Sequence, residues 1–173
     1  MRQRGFTLVE VLVAVVIIGI MVAAVTLSGA LAFGDRDLET ERDRLLALFD
    51  HLRDQGALQN REYGLRIHED GYQFMAFDGR TGFWFYEGDD LLRPRKLPEG
   101  LTVDLWVEGQ KVELPQEEAE EVEPEALAPQ VLLYSSGELT LFELELRRKG
   151  GEGVRIAPAA GTDQIAATQL DAK

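Results

Sequence analysis

Glu10 is the residue whose setting most demands chemistry. It stands at the edge of a run from Val11 to Gly34, 24 residues without a charge, VLVAVVIIGIMVAAVTLSGALAFG. A carboxylate buried among such residues has to be neutralised or matched to a cation, since desolvating it alone is costly. Glu10 therefore asks for a positive partner. Other candidate groups are scattered. His51 and His68 have no spaced His partner, no Cys and no obvious Ser nucleophile near them in sequence, so neither a metal site nor a catalytic residue is expected. Glu87, Asp89 and Asp90 form a small acidic cluster. Its spacing does not fit a calcium loop, which needs five oxygen positions and a terminal Glu over about 12 residues. A turn is the expectation there, and no cofactor is expected anywhere.

The chain has 173 residues, 18 Lys+Arg, 31 Asp+Glu and a formal net charge of −13. Hydrophobic residues make up 45%, enough for a core. The absence of Cys removes disulfide frameworks and thiol chemistry. The acidic balance argues against nucleic acid, because phosphates require a basic face.

The uncharged run is long enough to span a bilayer core of roughly 30 Å, which takes about 20 helical residues. It has no polar face beyond Thr26 and Ser28. A cleaved secretory signal is the competing reading, with Arg2 and Arg4 as its basic region. Ser28-Gly29-Ala30 and Ala30-Leu31-Ala32 pass as small-x-small sites. The run exceeds the usual apolar core of about 7–15 residues, however, and Glu10 has no place in one.

Beyond Gly34, Leu38, Leu45, Phe49 and Leu52 fall at helical spacing, with charged residues assigned to the opposite face. No Pro occurs from Phe6 to Arg61. The pattern predicts one helix from about Phe6 to about Gln55, with Gly56 as a stop. After Asn60 the period changes to two. Residues 63–77 read as a hairpin around Glu69-Asp70-Gly71. Further strands are expected at 83–86, 101–107, 131–134, 139–147 and 154–156. The dense aromatic run Phe83-Trp84-Phe85-Tyr86 is expected to be buried on both faces. The segment 113–125, ELPQEEAEEVEPE, holds seven Glu and two Pro and reads as a solvated loop between strands, within an acidic stretch 113–129. The fold class expected is α+β: a long N-terminal helix, membrane-spanning in its first half, packed on a small antiparallel β domain of two sheets. The divisions are 6–34 (span), 35–60 (amphipathic helix), 61–157 (β domain) and 158–173 (a loose tail).

The opening MRQRG-FTLVEV resembles the class III signal of type IV pilin-like proteins: a basic leader, Gly5, Phe6, then Glu10 four positions on, running directly into the apolar segment. The segments 61–78, 92–101 and 135–146 resemble the H-type minor pseudopilins of bacterial type II secretion systems. Fimbrial FimT/FimU-like minor pilins are the alternative. The resemblance implies a leader 1–5 with charges Arg2 and Arg4, cut by a prepilin peptidase between Gly5 and Phe6, with N-methylation of Phe6. It implies that Glu10 pairs with the terminal amine of a neighbouring subunit and sets filament register. It implies a single-pass inner-membrane protein, N-terminus cytoplasmic and C-terminal domain periplasmic. It would enter a pseudopilus near the tip, linking I/J/K-type subunits to the major G-type subunit. An inner-membrane assembly platform and secreted cargo complete the implied partners. Before residue 35 the only charges are Arg2, Arg4 and Glu10, so the remainder carries 16 Lys+Arg against 30 Asp+Glu. That acidity disfavours DNA-binding pilus relatives.

Overall fold

The computed structural model describes residues 8–86, 88–116, 128–159 and 164–172, without the side chains of 22–35. Arg2, Arg4, Gly5, Phe6, Glu87 and the central part of the acidic stretch, 117–127, lie outside the described residues. The chain divides into two compact units, Met1–Asp37 and Leu38–Lys173.

One helix, α1, runs Leu8–Gln59. It continues past Gly56. That glycine is buried within the helix, where an added Cβ would stand 2.9 Å from the Arg61 carbonyl oxygen, so it permits a close approach. The stop is Asn60, in the left-handed region at φ 51°, a conformation Asn tolerates at a helix end. Among the described residues no helix is long and apolar enough to cross a membrane, so the expected spanning half is not seen among them.

In the larger unit two antiparallel sheets follow the helix. Sheet A has the order β3(Phe83–Phe85)-β2(Gly71–Asp78)-β1(Tyr63–His68)-β7(Val131–Leu133), with β4(Arg95–Lys96) also on β2. Sheet B has the order β10(Ile165–Leu170)-β9(Gly153–Pro158)-β8(Phe142–Arg148)-β5(Leu101–Val107)-β6(Gln110–Lys111). The 63–77 hairpin forms in the register Tyr63↔Ala76 to His68↔Gly71. Its alternation puts Tyr63, Leu65 and Ile67 on one face, all fully buried.

Leu38, Leu45, Leu48, Phe49 and Leu52 of α1 share one core with Tyr72 and Phe74 of sheet A and Leu105, Phe142, Leu144 and Ile156 of sheet B. Phe49 joins the layers. Its ring stacks on Phe142 at 5.3 Å and 22°, and meets Phe74 edge-on at 5.5 Å and 87°.

Two expectations are corrected. The stretch 158–173 is not a loose tail throughout: Ile165–Leu170 pairs along its whole length with β9, from Ile165↔Pro158 to Leu170↔Gly153. Ile165 and Ala167 pack against the core, a contact too sparse in large side chains to leave a clear periodic signal. The aromatic run is not buried on both faces. Among the described residues β3 has a strand on one side only, and Phe83 is 40% exposed while Trp84, Phe85 and Tyr86 are half-buried.

Candidate assembly site

From Leu8 to Met21 the surface of α1 is apolar around its circumference apart from Glu10. Leu8, Val9, Val11, Leu12, Val13, Val15, Val16, Ile17, Ile18, Ile20 and Met21 are all exposed, Leu8 by 81% and Ile17 least of all at 48%. A helix apolar all round is stable in water only when something covers it. The eleven are about 60% exposed on average, so covering them is worth on the order of 10–20 kcal/mol at about 1.5–3 kcal/mol for each full burial. Glu10 lies in the first turn, exposed, where the helix N-terminus favours negative charge. It is the single ionisable residue from Leu8 to Gly34. The geometry therefore offers a greasy rod with one carboxylate near its start. Whatever covers the rod must also meet that charge.

In the second unit the helix is seated by a polar contact that sequence reasoning missed. Glu41 is 1% exposed. Arg44 donates to both its oxygens at 2.9 and 2.6 Å, and Tyr72 Oη donates to Oε1 at 3.1 Å. Burial pushes the Tyr72 phenol up, and the adjacent Glu41 carboxylate pushes it further. The signal was present: Glu41 is three residues after Leu38 and four before Leu45, on the apolar stripe itself.

The other candidate groups do not converge. His51 is exposed on α1. His68 is buried, its Nδ1 2.7 Å from Asp70 Oδ1, and that hydrogen bond holds Asp70 below the usual carboxylate range. Asp89 Oδ1 accepts the Leu91 N–H at 2.9 Å, and its carbonyl accepts the Leu92 N–H at 3.1 Å, closing a turn. Asp90 is exposed beside it. In the acidic stretch the Pro115 carbonyl accepts from Glu69 N–H, and just beyond its end the Gln130 side-chain amide exchanges two hydrogen bonds with the Ile67 main chain. Among the described residues, no three His, Cys, Asp or Glu side chains come together to hold a metal ion.

The most developed charge network lies on the outer face of sheet B. Glu145 is 7% exposed there, gripped by Arg155 at 2.8 Å and Arg147 at 3.0 Å. Burial would raise its pKa, but the two guanidinium hydrogen bonds overcome that and hold it below its ordinary value. Arg155 also reaches Glu143 at 3.3 Å.

The chain is similar to known proteins in both sequence and fold. Residues 1–26 match the prokaryotic N-terminal methylation motif. The chain is 37% identical over 152 residues to type II secretion system protein H of Pseudomonas aeruginosa, covering 87% of each chain. It is 33% identical over 178 residues to type II secretion system protein H of Aeromonas hydrophila, covering 98% of this chain and 93% of the relative. The crystal structure of the minor pseudopilin EpsH from the type II secretion system of Vibrio cholerae superposes with a TM-score of 0.60 at 22% identity, over 79% of this chain and 97% of that one. That likeness identifies the two sheets and helix as a pilin-like fold. With identity above 30% across most of its length, the chain belongs to the type II secretion system protein H family.

Proposed function

We propose that the protein is a minor pseudopilin that uses α1 twice, first as a bilayer anchor and then as part of the packed spine of a pseudopilus. The observation that carries this is the all-round apolar exposure of Leu8–Met21 with Glu10 in its first turn. The matched methylation motif over 1–26 supports cleavage between Gly5 and Phe6 with methylation of Phe6. Arg2 and Arg4 hold the leader on the cytoplasmic side by the positive-inside bias, and residues 11–34 span the inner membrane with the β domain in the periplasm.

On assembly the helix leaves lipid for other helices. Both surroundings are apolar, so the hydrophobic term changes little and the charge decides the register. Glu10 pairs with the terminal amine of a neighbouring subunit. A subunit out of step would bury an uncompensated carboxylate, which costs about 3–5 kcal/mol for a broken buried pair. Subunits meet head to tail in a contact that does not close. The protein works near the tip, joining I/J/K-type subunits to the major G-type subunit, and the growing rod supports export of folded proteins through the outer-membrane secretin.

Glu10→Gln tests the reading. The variant is expected to insert and to be cleaved normally, yet to be depleted at least tenfold from sheared pseudopili. Normal incorporation would remove the role assigned to Glu10.

A further inference from the structure

We infer that the outer edge of β10 is a strand-addition site for an extended polypeptide segment with an uncharged, alternating middle and basic flanks. A sheet edge presents unpaired main-chain groups, and proteins usually blunt it by shortness, charge or a cover. The other edge strands here are blunted. β6 has two residues and ends in Lys111; β4 is Arg95–Lys96; β3 and β7 have three residues each. Beyond β7, the Gln130 amide takes up the Ile67 N–H and carbonyl as a further strand residue would. β10 alone among the described strands leaves a long edge open: six residues, IAATQL, without a charge or Pro.

The ladder determines which groups point outward. Ala159 N–H donates to the Gln164 carbonyl at 2.8 Å, so 159 and 164 are a hydrogen-bonded pair. Arg148 N–H donates to the Glu152 carbonyl at 3.1 Å, giving the same phase across β9. Alternation along the register then turns the main-chain groups of Ala166, Thr168 and Leu170 toward β9. Those of Ile165, Ala167 and Gln169 face away from the sheet. A strand docked there gains up to six main-chain hydrogen bonds. Its alternate side chains on the inner face extend the core beside Ile165 and Ala167.

Charge selects the occupant. Asp171 is exposed directly after the strand, and the chain carries −13. A second copy would bring a second Asp171 and the same net charge. A segment flanked by Lys or Arg meets complementary charge instead.

The test uses the full-length protein in detergent micelles. The probe is a nine-residue peptide of alternating Thr and Val with Lys at each end, and the readout is residue-resolved amide hydrogen exchange. Saturating peptide is expected to slow exchange at Ile165, Ala167 and Gln169 at least tenfold. Ala167→Pro removes only an outward N–H, which an edge strand tolerates, and is expected to abolish the effect while β9 protection remains. An N-methylated version of the peptide keeps the side chains and loses the donors; it should not bind, whether or not the Pro variant folds. Glu flanks should weaken binding at least threefold. No slowing at those three amides, or equal slowing by the N-methylated peptide, overturns the inference. So does protection that appears without peptide and disappears on dilution, the signature of a second copy.

Discussion

The two ends of α1 share a backbone conformation and differ in what surrounds them. From Leu8 to Met21 every large apolar side chain is exposed, and the sole charge is Glu10. From Leu38 to Leu52 the apolar side chains are confined to one stripe, and Leu45, Phe49 and Leu52 are fully buried. The second stretch is buried by its own sheets; the first, in the function proposed above, is covered by other molecules. A carboxylate on the apolar side of the helix distinguishes each stretch, Glu10 in the first and Glu41 in the second. Glu41 has its partners within the fold, at Arg44 and Tyr72. For Glu10 the partner proposed above is the terminal amine of another subunit. The contrast separates folding from assembly along one helix, and substitutions in the two halves should fail in different assays.

The largest effect on folding is expected at Phe49, which touches both sheets. Phe49→Ala should lower the unfolding free energy of the β-containing unit by about 3–5 kcal/mol, measured by urea denaturation. Ile17→Ala, in the exposed half, should leave that transition within about 0.5 kcal/mol of wild type. Equal losses from the two would break the distinction.

Glu41→Ala comes next. It strands the buried Tyr72 hydroxyl and should cost about 1–3 kcal/mol in the same assay. Tyr72→Phe removes the donor and its need for a partner together, and should cost less. A Tyr72→Phe loss exceeding that of Glu41→Ala would contradict the seating role of the carboxylate.

Gly64→Ala should cost about 1–3 kcal/mol, because its Cβ would come within 2.3 Å of the Pro129 ring, and the chain there must shift. An unchanged midpoint would mean that Pro129 moves freely.

The smallest effect concerns acid. The folded state holds Glu145 below its ordinary value of 4.5, so the unfolded chain binds the proton more readily. Its stabilisation is complete above pH 4.5 and drains away as pH falls through the lower folded value. Glu145→Gln should therefore flatten the acid side of the stability profile and leave the slope near neutral pH unchanged. A variant with an undiminished acid slope would assign that slope to other carboxylates such as Asp70.

Much of the fold was legible because its strongest signals are local. The 63–77 hairpin pairs alternating apolar residues around a turn-forming tripeptide, and Leu101–Val107 and Phe142–Arg148 show the same period. The losses have physical causes. β10 is built from small residues whose placement depends on pairing with β9, and β4 and β6 have two residues each, too short for any period. The aromatic run has the composition of a core strand, but its position at the end of sheet A exposes it. The helix end was displaced because Gly56 signals both a stop and a close approach, and the second operates here. At the candidate site, Glu10 and the apolar run stand out in the sequence itself, since a lone charge beside 24 uncharged residues needs no tertiary context to be noticed. Glu41 sits among many charged residues of the same helix, and only its place on the apolar stripe sets it apart.

The proposed function requires that the apolar amino end be retained in the mature protein and carried into the fibre. Intact mass measurement of the chain recovered from sheared pseudopili tests it most directly. A polypeptide beginning at Phe6 with one added methyl group is the expected result. A species trimmed near Ala32 and released into solution would contradict it.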